Sequence, residues 1–189
     1  LEKALSVSCN CYFGKLTEEE LGSKTMEKYV KKLNLTKNLD VSGISTKASS
    51  FDFPDSGVNL AWAGIGQHND LLNPCAMMTY MGAIANDGTA VQPKIVGDVK
   101  FSTGVSAKIP WGSSKGDLIE ETTASTLKSM MRNNVEDHYG AGNFTGLNIC
   151  AKSGTAEVGG YNQPNAWFSG FLDDDDNPYA FIVLVENGG

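Results

Sequence analysis

Nothing in this 189-residue chain has the spacing of a metal site or a disulfide framework. The four cysteines, Cys9, Cys11, Cys75 and Cys150, form no C-x-x-C pair. Each lies in an apolar stretch, which reads as buried thiols. Histidine is nearly absent: His68 and His138 are the two imidazoles, no H-E-x-x-H occurs, and no metal or other cofactor is expected. There is no Lys/Arg-rich run and the net charge is −7, so the basic footprint of a phosphate-binding surface is missing and no nucleic-acid partner is expected. No signal peptide, apolar run long enough to span a membrane, or internal repeat is visible, and the first residue is Leu1 in an apparently helical phase, which predicts further residues upstream. Asp173 to Asp176 is the one dense acidic run. It lacks the central Gly and terminal Glu of a calcium loop and reads as a solvated hairpin tip.

What remains is an ordinary globular composition, 41% apolar and 20% charged, long enough for a sizeable core. Residues 1–16 read as the end of a helix carrying Ser8-Cys9-Asn10, and Thr17-Glu18-Glu19-Glu20 as a capping box opening a short helical turn. A helix is expected over 23–33, with Met26, Tyr29, Val30 and Leu33 on its buried face. Residues 34–59 read as an extended polar segment with at most short strands, and 61–67 as a Gly-punctuated loop. Asn73-Pro74 then caps a helix, CAMMTYMGAIAN, so apolar all round that it must be central. Asn86-Asp87-Gly88 ends it, and an extended, Gly-rich stretch runs on to Gly116. Residues 120–134 predict another helix with Ala124, Leu127 and Met131 inward. Three apolar or alternating runs, 147–158, 166–172 and 179–186, joined by short polar turns, predict an antiparallel meander.

The first of those runs carries the oddest chemistry. Lys152-Ser153-Gly154-Thr155 interrupts an apolar strand with groups that bind anions, and Gly154 would let a ligand backbone lie against the strand as an added strand. Alone, it reads equally well as a hairpin edge guarded by a lysine. Ser8-x-Asn10, about 140 residues earlier, is just as weak alone: Ser and Asn are ordinary helix caps.

Together the two resemble the S-x-N and K-T/S-G motifs of the penicillin-binding protein and serine β-lactamase superfamily. GIGQ at 64–67, NPCAMM, AIANDG with VQPKIV, AKSGTAE, AWFSGF and AFIVLVENGG follow in the order of a penicillin-binding protein transpeptidase domain, and cover most of the chain from Ala4 onward. The resemblance implies an α/β fold of the α+β type, a five-stranded antiparallel sheet with helices on both faces. Residues 1–189 would supply its C-terminal part, incomplete at both ends, with Gly189 an implausible natural terminus. It implies a peptidoglycan D,D-transpeptidase that cross-links D-Ala-D-Ala stem peptides through an acyl-serine and is acylated by β-lactams. Such a protein is displayed outside the cytoplasmic membrane by an anchor that these residues do not include.

By the same resemblance Ser8 passes a proton toward the leaving group, Asn10 meets the substrate amide, and Lys152 biases the site electrostatically beside Ser8. The Ser153 and Thr155 hydroxyls hold the substrate carboxylate along the Gly154 edge, and the Thr155 N–H supplies half an oxyanion hole. The family's nucleophile and base come from an S-x-x-K motif some tens of residues before S-x-N, whereas only seven residues precede Ser8 here. The one such string, Ser125-Thr126-Leu127-Lys128, is out of order and faces outward on its helix; it reads as a decoy. The fragment alone is therefore expected to be inactive. Cys9 inside the triplet and His68, where the family usually has glycine, are lesser departures. Two alternatives stay open. A serine β-lactamase would need a deacylating glutamate; Glu120, Glu121 and Glu136 fall in the right interval but not in an E-x-x-L-N context. A non-catalytic β-lactam sensor or scaffold would keep the fold and signal by binding. The last strand, lacking neighbours, is expected either to pair with a second copy or to be covered by segments outside this chain.

Overall fold

The computed structural model describes residues 1–96, 98–108, 114–160 and 163–188. Parts of the stretch leading to Gly116, and Gly189 with the expectation attached to it, lie outside the described residues.

The N-terminal region differs from the single helix end expected. Helix α1 (Glu2–Ser6) stops within a few residues, and α2 (Asn10–Lys15) starts after a break at Val7-Ser8-Cys9. The break is a Schellman cap. Cys9 N donates to Ala4 O at 2.9 Å, Ser8 N to Leu5 O at 3.2 Å, and Ser8 takes φ +50°, the left-handed position that glycine usually fills. Helix α2 runs without a cap into a π-helical turn (Leu16–Leu21), so Thr17 opens no capping box. Instead it is buried under Gly64, where a Cβ would meet Thr17 Oγ1 at 2.2 Å. Helix α3 (Gly22–Lys32) follows, with Val30 buried as expected but Tyr29 half exposed under Lys32 Nζ.

The polar segment holds one two-residue hairpin, β1 (Asp40–Val41) and β2 (Ile44–Ser45), whose turn uses positive φ at both Ser42 and Gly43. Phe51 stacks on Phe53 and both pack against Val30, Leu35 and Ala76. Helix α4 (Val58–Ala63) runs from the end of the polar segment into the first three residues of the stretch read as a loop: Leu60 and Ala63, three apart, are both buried. The flanking glycines had hidden that spacing.

Helix α5 (Pro74–Ala85) begins where expected. Asn73 Oδ1 accepts from Cys75 N at 2.8 Å, and its amide donates to Thr46 Oγ1 and Lys47 O at 2.7 and 2.6 Å. It is central, packing on the main sheet, on α6 and on β3. Strand β3 (Thr89–Val91) pairs with β6 (Ser114–Asp117), and β4 (Asp98–Lys100) with β5 (Ser106–Lys108). Helix α6 (Glu121–Asn134) buries Ala124 and Met131 and packs Leu127 against the core. A π-helical turn (Val135–Gly140) and a 3-10 turn (Ala141–Phe144) then carry the chain to the sheet.

The meander is β7 (Ile149–Ala156), β8 (Asn165–Leu172) and β9 (Ala180–Val185), antiparallel in the order β7-β8-β9. Alternation divides it. Cys150 and Phe171 face Met81, Ile84 and Met131 of α5 and α6, while Ile149 and Ala151 face Val135, Tyr139 and Phe144 on the other side. Gly170, opposite Ala151, has no room for a side chain: a Cβ there would meet Cys150 O at 2.1 Å. On β9, Val183, Leu184 and Val185 are 50%, 37% and 51% exposed.

Candidate active site

The site lies along the edge of β7 that faces away from β8. In an antiparallel strand the N–H and C=O of one residue point to the same side, and those of its neighbours to the other. Ala151, Ser153 and Thr155 present theirs outward. Ala151 O accepts from Asn134 Nδ2 at 2.7 Å, Ser153 N donates to Tyr139 Oη at 2.7 Å, and Ser153 O accepts from Lys152 Nζ at 2.7 Å. Thr155 O accepts from Gln67 Nε2 at 3.0 Å. Between Ala151 O and Thr155 O, therefore, only the Thr155 N–H has no partner among the described residues. Gly154 and Thr155 are exposed, so this donor faces open space beside a strand with no side chain at position 154.

At the same edge the structure brings Lys152 to Ser8. Its side chain leaves β7 on the α5/α6 face and donates from Nζ to Ser8 Oγ as well as to Ser153 O. The Schellman cap holds Ser8 in place: α1 packs on α6, Leu5 enters the main core, and Asn133 Nδ2 donates to Glu2 Oε1 at 2.6 Å. A serine with φ +50° gives up backbone stability that glycine would keep, about 1 kcal/mol. Asn10, the first residue of α2, is exposed, and its side chain makes no hydrogen bond among the described residues. Ser8, Lys152 and Ser153 are thus joined directly, Gly154 and Thr155 continue the same edge, and Asn10 stands two residues from Ser8.

Three residues that pattern reading missed complete the edge: Asn134, Tyr139 and Gln67. Burial raises the Tyr139 phenol's pKa, but its hydrogen bonding with the Ser153 hydroxyl and N–H, the neighbouring Asn134 side chain and the nearby Lys152 charge outweigh it and hold the phenol below its ordinary value. Gln67 sits within the quoted GIGQ block, the only signal that could have found it. Its neighbour His68 has φ +64°, a left-handed position that glycine takes without strain. His68 Nε2 lies 3.2 Å from Asp52 Oδ2, and Asp52 N donates to Asp70 Oδ1 at 3.0 Å. Burial pushes the Asp70 carboxyl up from 3.8 to about 6, against the opposing pull of that N–H and of His68.

Ser125 and Lys128 are apart from this edge. Ser125 is exposed, while Lys128 Nζ donates to Ala85 O at 3.2 Å and lies 3.4 Å from Asp173 and 3.6 Å from Asp87. With the Arg132–Asp173 ion pair, this fastens α6 to the end of α5 and to the β8–β9 turn. In that turn Asp174 Oδ1 accepts from Asp176 N and Asn177 N, both at 2.9 Å. Among the described residues no cluster of His, Cys, Asp and Glu fits a metal ion, and no helix is long and apolar enough to cross a membrane. Cys150 is buried and its thiol pushed up to about 11 by that burial, but Cys11 is exposed, contrary to the expectation of four buried thiols.

The whole chain, residues 1–189, matches the family model described as penicillin binding protein transpeptidase domain. It is 27% identical over 197 residues to the peptidoglycan D,D-transpeptidase PbpA of Mycolicibacterium smegmatis, covering 100% of this chain and 39% of that protein. The crystal structure of PBPA from Mycobacterium tuberculosis superposes with a TM-score of 0.90 at 27% identity, over 100% of this chain and 45% of that one. The imipenem acyl-enzyme complex of the same M. tuberculosis protein gives 0.90 at 27%, over 43% of its length. The chain thus spans less than half of the relatives it matches.

Proposed function

Because this chain belongs to the penicillin-binding protein transpeptidase domain family, we propose that residues 1–189 are the C-terminal part of a peptidoglycan D,D-transpeptidase domain. The observation that carries this reading is the pairing of Lys152 with Ser8 beside the outward Thr155 N–H, which has no partner among the described residues. Acyl transfer needs a nucleophile, a proton path to the leaving group, and donors where the oxyanion develops. The nucleophile and its base come from a segment outside these residues. Ser8 relays the proton to the leaving D-alanine with Lys152 holding its oxygen, Asn10 meets the substrate amide, and the Thr155 N–H donates to the oxyanion. The Ser153 and Thr155 hydroxyls take the terminal carboxylate. A stem peptide lies along Gly154 as an added strand. β-Lactams enter the same edge and acylate the same serine.

The parent protein works at the extracytoplasmic face of the membrane, held by an anchor outside these residues. The apolar residues exposed on β9 are covered by strands from the remainder of the domain, with self-association through this edge when those strands are missing.

Labelling the full-length protein with penicillin and mapping the adduct tests the assignment. The expected result is a slowly hydrolysed acyl group on a serine upstream of Leu1, and an unchanged intact mass for the 189-residue chain treated alone. An adduct on Ser8 or Ser125 would overturn the division of roles, and rapid turnover of the acyl-enzyme would make the protein a β-lactamase.

A further inference from the structure

Gln67 reaches Thr155 O from a turn whose backbone is left-handed on either side of it, Gly66 at φ +77° and His68 at φ +64°. Gln67 N donates to Trp62 O at 3.0 Å and Asp70 N to Gln67 O at 3.3 Å, so the turn is tied to α4 and to itself. Its outer wall is the segment around Ser50 and Asp52. Ser50 and Leu71 exchange two backbone hydrogen bonds, at 2.9 and 2.8 Å. Beside them Asp52 Oδ2 accepts from Asn69 Nδ2 at 2.8 Å and lies 3.2 Å from His68 Nε2, while Asp52 N donates to Asp70 Oδ1 at 3.0 Å. The three residues that follow Gln67 are thus all held by Asp52. None of the roles above uses this clasp.

The clasp joins two acids. Asp70 can accept from Asp52 N in either protonation state, but once ionised it sets a second negative charge beside the Asp52 carboxylate in a place partly shielded from water. Among the described residues the charges acting on it are His68 on its own turn, which favours ionisation, and Asp52 across the clasp, which opposes it. Burial is the largest influence, and the carboxyl's pKa stands at about 6 instead of 3.8. A carboxyl raised in this way supports the folded arrangement while protonated, and that support is lost as pH rises through about 6.

We propose that this clasp is a pH-sensitive positioning device for the β7 edge: with Asp70 uncharged it seats Gln67 on Thr155 O, and with Asp70 charged it loosens and the grip on Thr155 weakens. Gln67, Asp52 and Asp70 are positioning residues and touch no reacting atom. The proposal rests on the reading that the Thr155 N–H meets the oxyanion, and deepens it. Thr155 lies one residue from the end of β7, and a strand end that drifts takes its donor with it. Asn134, Tyr139 and Lys152 steady the outward groups of Ala151 and Ser153, whereas at Thr155 the side chain doing so is that of Gln67.

The test measures the rate constant for penicillin acylation of the full-length protein between pH 5 and pH 8, as the ratio of Asp70→Asn to its parent, so that groups titrating elsewhere cancel. The amide keeps an acceptor for Asp52 N and cannot ionise. The ratio should lie near one at pH 5 and rise about three- to fivefold by about pH 7.5, the size of one part-exposed charge interaction. In a Gln67→Ala background it should stay flat. His68→Gly, which suits φ +64°, should move the step to higher pH, and Asp52→Asn should move it lower, since the first removes an attraction and the second a repulsion. A flat ratio with Gln67 present, a rise that persists without it, or a step that moves the same way in both neighbouring variants would overturn the proposal. If Asp70→Asn fails to fold, the carboxyl is a structural group and the proposal falls too. A wild-type protein that penicillin does not acylate at any pH would instead sink the functional reading beneath it, and the same cycle read in thermal midpoints would then decide the clasp.

Discussion

Replacing Lys152 with alanine separates catalysis from stability. In the folded protein its ammonium donates to Ser8 Oγ and to Ser153 O, the second at 2.7 Å. The Ser153 contact is to a backbone carbonyl rather than to a group given a part in the reaction, and its loss adds little to the barrier. On the proposed role of Ser8 as proton relay, the Ser8 contact acts in the transition state, where the Ser8 oxygen would exchange protons and carry developing charge. Removing one preorganised electrostatic group of this kind costs roughly 2.7–4 kcal/mol of barrier, a factor of about 100 to 1,000. Stability should hardly change. The ammonium is only half buried, its partner Ser8 is exposed, and water replaces both contacts, so the loss is below about 1 kcal/mol. Lys152→Arg should restore little, because a compact ammonium serves two acceptors on different elements and a planar fork does not reproduce that geometry. The assay is the second-order rate constant for penicillin acylation of the full-length protein, beside its thermal midpoint. A rate within a few-fold of wild type and an unchanged midpoint would refute the role given to Lys152. So would an alanine variant whose slow rate tracks a collapse in stability.

Three further outcomes follow from the packing and the charges. Ser125→Ala should leave fluorescent-penicillin labelling intact, since Ser125 is exposed and its helix is tied elsewhere; loss of labelling in a folded protein would mean that the motif order is misread. Gly170→Ala should lower stability by about 1–3 kcal/mol and slow acylation together, because its Cβ would meet backbone atoms that no rotamer can clear, Cys150 O at 2.1 Å and Ala151 Cα at 2.8 Å. An unchanged melting temperature would show that β7 and β8 part there at no cost. The raised pKa of Asp70 means that the folded state holds its proton more tightly than the unfolded chain. Its contribution is present below pH 3.8 and lost as pH rises through about 6. Asp70→Asn should therefore gain stability over wild type between pH 4 and pH 7 in urea unfolding, and a difference independent of pH would count against the burial argument.

The elements legible in the sequence were those whose signal is local. The β7–β8–β9 meander announced itself by alternation and short polar turns, and α5 by an asparagine-proline start before an apolar run. Lys152, Ser153 and Thr155 stood out because a strand had no packing reason to hold them. What escaped was set by distant parts of the chain. Gln67, Asn134 and Tyr139 reach β7 from 88, 17 and 14 residues away, and no spacing rule records which edge group each satisfies. Helix α4 was hidden because glycines on either side outweighed two buried residues, and Tyr29 was placed inward by a periodicity that ignores how much of the face its neighbours already fill. The break at Ser8 was the largest miss. Serine is not the residue expected in a left-handed helix cap, and its presence there becomes intelligible only with Lys152 beside it.

That cap also decides what can move the site. A hydroxyl on a loop can be re-aimed by the loop alone, but the backbone of Ser8 is the terminus of α1, bonded into its last turn through Leu5 O and Ala4 O. Its bearing is therefore inherited from the axis of α1, and that axis is set by Leu5 in the core and by the Glu2–Asn133 clasp to α6. Helix α6 in turn ends at Asn134, which fixes the outward edge of β7 through Ala151. One rod thus carries the reference marks for both halves of the site. A slip of α6 along its own axis would shift Ser8 and the β7 edge together and preserve their alignment, while a slip of α1 against α6 would shear them apart.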